Sequence, residues 1–218
     1  MNFLFYIVMG YLSGSILFGY LIPKYVSHVD VTLDTPDGNP GVSNAFCKAG
    51  VLIGILVLVL ELSKGFFPVY LASRQLPVEN PYFALVLLAP VLGHAFPFWR
   101  LQGGGKAIAV SFGVLLGLFS QPEALGFLMF FYLLFSLVVV INPHSLRSVV
   151  TYLCFSVCCF LLLTVKSIKL GTLLISLVVI FRHLAQYHGE KLTMHIGPVL
   201  KRPSKYNPEI PKGKDLHL

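Results

Sequence analysis

The stretch Val51-Leu52-Ile53-Gly54-Ile55-Leu56-Val57-Leu58-Val59-Leu60-Glu61-Leu62-Ser63-Lys64-Gly65-Phe66-Phe67-Pro68-Val69-Tyr70-Leu71-Ala72 decides the fold. At about 1.5 Å of rise per residue, a helix of this length crosses the roughly 30 Å hydrocarbon core of a bilayer. Phe127–Ile141 is a second apolar run of the same kind. The whole chain agrees: 56% of its 218 residues are hydrophobic and only 11% are charged, against about 25% charged in soluble domains. Mean hydropathy is +0.80. Too little polar material remains to coat a water-facing globule. The expected fold is therefore an all-α, polytopic membrane helix bundle. Apolar spans fall near 2–22, 51–73, 81–99, 107–120, 124–142, 148–165 and 170–187, giving about seven transmembrane helices. Several contain proline (Pro68, Pro90, Pro97), which membrane helices tolerate when neighbours satisfy the freed backbone groups. Phe3–Ile22 lacks a basic leader, so it reads as the first membrane helix and not as a cleaved signal.

Basic residues set the orientation, because they gather on cytoplasmic loops. With the amino terminus outside, Lys24, Lys48, Arg100, Lys106, Arg147 and the basic residues from Arg182 onward fall inside, against Arg74, Lys166 and Lys169 outside. The assignment is N-out and C-in. A membrane domain occupies 1–190, and 191–218 reads as a basic, Pro-punctuated cytoplasmic tail leaning on anionic lipid. The net charge of +7 is accounted for by this lipid contact. No basic stripe with interleaved aromatics marks a nucleic-acid partner. Cys47, Cys154, Cys158 and Cys159 have neither disulfide nor zinc spacing, so no metal or redox cofactor is expected.

Polar groups at membrane depth are costly and mark candidate sites. The loop Asp37-Gly38-Asn39-Pro40-Gly41-Val42-Ser43-Asn44 is rich in turn formers that can aim backbone N–H groups at an anion; as an ordinary connector it would look the same. Gly93-His94-Ala95-Phe96-Pro97-Phe98-Trp99-Arg100 leads into Gly103-Gly104-Gly105-Lys106, a phosphate cradle or a glycine hinge. Glu61 and Lys64 lie i,i+3 on one helical face and can pair, as a structural ion pair or a substrate contact. Arg182-His183 and His188-Gly189-Glu190 close the last span. His144, in Asn142-Pro143-His144, reads as loop punctuation.

In this order and spacing the clusters resemble the bacterial acyl-phosphate:glycerol-3-phosphate acyltransferases, the PlsY family, from about Gly14 to Glu190. Gly14-Ser15-Ile16-Leu17-Phe18-Gly19-Tyr20-Leu21-Ile22 resembles the family's G-S-I-P-F-G-Y-L-I. Gly38-Asn39-Pro40-Gly41-Val42-Ser43-Asn44 is similar to its G-N-x-G-A-T-N, and Glu61-Leu62-Ser63-Lys64-Gly65 to its D-x-x-K-G. Gly93-His94-Ala95-Phe96-Pro97 is similar to G-H-x-F-P, Gly104-Gly105-Lys106 to G-G-K-G, and His183 with Gly189-Glu190 to the closing H-x-x-N…G-x-E. The resemblance implies seven helices, a cytoplasm-facing site in the bacterial plasma (inner) membrane, and no metal or cofactor. The implied partners are acyl phosphate, glycerol 3-phosphate and membrane lipid; the products are lysophosphatidate and phosphate, early in phospholipid synthesis.

On that resemblance the catalytic residues are His94, Lys106 and Asn44. Substrate would be held by Ser15, Gly38, Asn39, Gly41, Ser43, Lys48, Lys64, Gly103, Gly104, Gly105, His183 and Glu190. Lys106 with the Gly103–Gly105 amides is expected to hold one phosphate, and Asn39, Ser43, Asn44 and the Gly41 amide to line the other side. The chain also departs from the pattern: Asp30-Val31-Thr32 replaces D-I-R, Asp37 replaces a serine, Cys47 an arginine beside Lys48, and Ala107 a glycine. Two other readings stay open. One is a relative with another acceptor or without catalysis, motivated by Asp37 and Cys47. The other is a transporter, motivated by Glu61 and Lys64, although no inverted repeat is visible.

Overall fold

The computed structural model describes residues 2–33, 35, 38–100 and 103–197. Asp37 and the tail from 198 onward therefore lie outside the described residues. Helix α1 (Phe3–Ser15) begins on the Asn2 side chain, which accepts from the Leu4 amide at 3.3 Å. It breaks at Ile16 and continues, bent by 40°, as α2 (Phe18–Val26). Then come α3 (Val42–Ala49), α4 (Val51–Gln75), α5 (Phe83–Ala95), α6 (Ile108–Gly117), α7 (Pro122–Leu133), α8 (His144–Leu162) and α9 (Lys166–Ala185).

The fold is a helical bundle of a membrane protein, and its solvent logic is inverted. Large apolar residues such as Leu52, Leu161 and Phe160 face outward, while Glu61, Lys64, His94, Lys106, Arg182 and His183 are buried. Among the described residues, three helices, α4, α8 and α9, are long and apolar enough to cross a bilayer, with the bent α1–α2 pair a fourth. The remaining expected spans contain shorter apolar helices: α5, α6, and α7 extended to Val138.

One expected span ends differently. Val139–Asn142, placed in the helical stretch 124–142, follows a π-helical turn at Leu134–Val138 and forms strand β1. It pairs antiparallel with β2 (Thr193–Ile196), in register from Val139 opposite Ile196 to Asn142 opposite Thr193. This two-stranded ladder qualifies the all-α expectation. Val139-Val140-Ile141 is β-branched, suits a strand, and finds a partner in residues that sequence alone assigns to the solvated tail.

Close helix crossings use small residues. Gly10 and Gly14 on α1 and Gly93 on α5 bring those two backbones together: a Cβ on Gly14 would strike the Pro90 carbonyl, and one on Gly93 the Tyr11 carbonyl. Gly113 and Gly65 do the same where α6 crosses α4. This small-xxx-small spacing is how membrane helices approach closely. Gly93→Val should therefore destabilise the bundle by about 3 kcal/mol, read as a lower unfolding temperature in detergent. By contrast, Gly126→Ala on α7, where an added Cβ meets nothing within 4 Å, should stabilise by about 0.5–1 kcal/mol.

Candidate functional site

The site grows from the break between α1 and α2. A helix broken inside a membrane leaves polar backbone groups that must find partners. Here side chains supply them. Lys64 Nζ donates to the Ile16 carbonyl at 2.6 Å, Trp99 Nε1 to the Ser15 carbonyl at 2.8 Å, and Glu61 Oε1 accepts from the Gly19 amide at 3.2 Å. Glu61 Oε2 lies 2.7 Å from Lys64 Nζ and 3.1 Å from His94 Nδ1, and Lys64 Nζ lies 2.9 Å from the same His94 nitrogen. Glu61, Lys64 and His94 are thus one buried cluster that ties α4 to α1 and α5 and fixes the His94 ring. Its Nδ1 is committed to the cluster, leaving Nε2 as the other ring nitrogen.

The glycine-rich loop packs over that second nitrogen. A Cβ on Gly105 would collide with His94 Nε2, and one on Gly104 with the Ala95 carbonyl. The Gly105 amide donates to the His94 carbonyl at 3.0 Å and the Gly103 amide to the Arg100 carbonyl at 2.9 Å. Arg182 donates to the Gly104 and Gly105 carbonyls from α9. The expectation that the Gly103 and Gly105 amides hold phosphate is therefore corrected: those donors are spent within the protein. The glycines are needed because the loop lies directly on α5. What the loop delivers is Lys106, only 4% exposed, followed by Ala107 in the left-handed region (φ 61°) at the start of α6.

A cavity of about 720 Å³ opens beside these groups. Asn39, Gly41, Ser43, Asn44, His94, Lys106, His183 and Glu190 line it. Asn44 Nδ2 donates to the Asn39 carbonyl at 2.8 Å and so braces the loop that forms one wall. The Gly41 amide is itself engaged by the Asn39 carbonyl at 2.8 Å, which removes it as an anion donor. Leu58 and Leu62 of α4 and Ile108 and Phe112 of α6 give the cavity an apolar portion. Four anticipated residues outside the glycine-rich loop need placing. Ser15 is buried, its hydroxyl donating to the Tyr11 carbonyl at 2.8 Å, and Lys64 belongs to the buried cluster. The Gly38 amide donates to the Thr35 carbonyl at 3.3 Å. Lys48 and Cys47 are exposed on α3. None of these four lines the cavity, nor does Cys47.

Sequence reasoning overlooked several wall residues. His144, taken as punctuation, begins α8 and lines the cavity, its Nε2 3.3 Å from Lys106 Nζ. Ser145, Tyr132 and Gln186 join it, beside His188 of the closing cluster. The only signal for His144 was a histidine directly after an X-Pro pair at the start of a long span. Away from the cavity, Thr32 stands where the resembling proteins carry arginine. Its hydroxyl and amide donate to Asp30 at 2.6 and 2.9 Å and hold that carboxyl below the usual range. Among the described residues, no three His, Cys, Asp or Glu side chains converge as a metal site requires.

The chain is similar to proteins of a known family. The family model described as glycerol-3-phosphate acyltransferase matches residues 4–189. A glycerol-3-phosphate acyltransferase of Myxococcus xanthus (strain DK1622) is 44% identical over 115 residues, 53% of this chain and 59% of that one. The match to one from Thermotoga petrophila, 38% identical over 120 residues, takes in 55% of this chain and 60% of that protein. The chain thus spans about three fifths of the length of these relatives. A third, from Endomicrobium trichonymphae, is 30% identical over 181 residues, 82% of this chain and 86% of that protein. The crystal structure of PlsY (YgiH), an integral membrane glycerol 3-phosphate acyltransferase, in its glycerol 3-phosphate form superposes with a TM-score of 0.72 at 28% identity. It covers 84% of this chain and 88% of that one. The lysophosphatidic acid form gives 0.70. With sequence agreement along nearly the whole bundle and the same backbone arrangement, the chain belongs to the glycerol-3-phosphate acyltransferase family.

Proposed function

We propose that this protein transfers a fatty acyl group from acyl phosphate to the 1-hydroxyl of glycerol 3-phosphate, releasing lysophosphatidate and phosphate. It would act in the bacterial plasma (inner) membrane with the cavity facing the cytoplasm. The observation that carries the reading is a single cavity of two characters. Its polar portion presents Lys106, His94, Asn39 and Ser43, and its apolar portion presents Leu58, Leu62 and Phe112. That suits a molecule with a charged head and a hydrocarbon chain. The relatives' names and the glycerol 3-phosphate and lysophosphatidic acid forms of the similar structure support it.

An acyl phosphate is already an activated anhydride, so orientation and charge stabilisation are the main demands. The acceptor oxygen attacks the acyl carbon, the new ester bond forms, and the carbon–oxygen bond to phosphate breaks. Lys106 neutralises phosphate charge, and His94, fixed through Nδ1 and lining the cavity, hydrogen-bonds the acceptor. The hydroxyl proton passes to His94 or to the departing phosphate. His94→Ala should lower turnover by about 100-fold or more in a protein that still elutes as a folded species. Mixing the detergent-purified chain with palmitoyl phosphate and glycerol 3-phosphate tests the reaction itself. Coupled appearance of phosphate and lysophosphatidate is expected; acyl-phosphate binding without either product would overturn it. The exposure of Cys47 and Lys48 outside the cavity favours, as a second reading, a changed acceptor. In that case Asp37→Ser with Cys47→Arg should raise glycerol-3-phosphate use.

A further inference from the structure

We propose that His144 is a second, titrating phosphate donor beside Lys106, so that a phosphate dianion enters the cavity together with one proton. The inference rests on the reading of this cavity as a phosphate-handling site and names a residue that reading does not use.

His144 reaches the cavity from the start of α8 and Lys106 from the loop before α6, and their nitrogens stand 3.3 Å apart. An ammonium has donors only, so a neutral imidazole with its proton on Nδ1 would accept in this contact. The surrounding groups favour an anion. From α5 comes His94; from α9 and the segment after it, His183, His188 and Glu190; from α7, Tyr132; and from α4, Glu61. Glu61 is already held by Lys64 and His94. Arg147, on the same helix as His144, is turned to the Ile141 carbonyl and Asn142 Oδ1. The His183 ring stands edge-on to His144, 6.4 Å between centroids. Among the described residues, the cavity wall therefore carries one ammonium and four imidazoles against a single carboxylate, Glu190, outside the Glu61 cluster.

A dianion placed between Lys106 and His144 would replace an ammonium–imidazole contact by two charge-assisted hydrogen bonds. Its negative charge favours the protonated ring, so proton uptake accompanies binding. Ser145, next on α8, brings the amino end of that helix to the same wall, which also favours an anion. The phosphate could belong to the acceptor or to the acyl donor.

Calorimetric titration of the detergent-purified full chain with inorganic phosphate, at about pH 6 to about pH 8.5 and in buffers of different ionisation enthalpy, tests this. Wild type is expected to take up about one proton more per phosphate than His144→Gln, which keeps a donor but does not titrate. His144→Ala should bind phosphate at least about tenfold more weakly near pH 6. His195→Gln, at a histidine outside the cavity lining, should retain the extra uptake. Repeating the titration with glycerol 3-phosphate and with the non-transferring palmitoyl phosphonate distinguishes the sources: the ligand weakened by His144→Ala is the one whose phosphate sits there. Unchanged affinity and proton uptake in both His144 variants would overturn the inference, as would absence of phosphate binding by wild type. Turnover measured in parallel separates the two proposals. Phosphate binding that depends on His144 without acyl transfer would remove the reaction and keep the residue, and acyl transfer indifferent to His144 would do the reverse.

Discussion

Glu61→Gln should cost the folded state about 3–5 kcal/mol, because removing one partner of a buried ion pair leaves the other charge uncompensated. Glu61 is 1% exposed and Lys64 4%, so water cannot substitute for the lost carboxylate. The same change releases His94 Nδ1 from its 3.1 Å contact, so turnover should fall by about 100-fold or more. Two further variants separate the effects. Glu61→Asp keeps the charge and is the residue that the resembling D-x-x-K-G motif carries, so it should retain most stability and part of the activity. Glu61→Gln with Lys64→Met removes both charges and should recover stability without recovering turnover. Thermal unfolding in detergent and phosphate release are the two readouts. A fully stable, fully active Glu61→Gln protein would show that the cluster is dispensable for fold and for His94 alike.

Lys106→Met should lower turnover by about 100- to 1000-fold, the range for losing one preorganised donor at a developing charge. Lys106 is almost fully buried yet reaches the cavity wall, and methionine fills a similar volume, so stability should change by less than about 1.5 kcal/mol. That combination of large kinetic and small thermodynamic effect is what distinguishes a substrate contact from a structural lysine such as Lys64. Turnover within tenfold of wild type in a folded Lys106→Met protein would remove Lys106 from the site.

Much of the candidate site was legible because motif residues stay close in sequence to the elements that present them. His94 ends α5, Lys106 precedes α6, and Asn39, Gly41, Ser43 and Asn44 sit on the loop and first turn of α3. The roles of the glycines were less legible. Their N–H groups looked available for phosphate, but Gly103 and Gly105 donate to the Arg100 and His94 carbonyls, contacts made only when the loop folds back over α5. Lys48 was placed on the site by nearness to Cys47 in the chain, yet α3 turns it outward. His144 was missed because nothing nearby in sequence suggests chemistry; its partner Lys106 is 38 residues away.

Sequence by itself determined the membrane-embedded helical character of the bundle. With 56% hydrophobic and 11% charged residues, no arrangement of this chain can present a polar surface to water, and runs such as 51–72 satisfy their backbone in lipid only as helices. Tertiary structure decided which polar groups meet. Glu61, Lys64 and His94 converge because the α1–α2 break offers the Ile16 carbonyl and Gly19 amide as partners. Strand β1 interrupts an apparently continuous apolar span because Thr193–Ile196 returns to pair with it. Such contacts depend on separations of tens of residues, which local hydropathy and propensity do not encode.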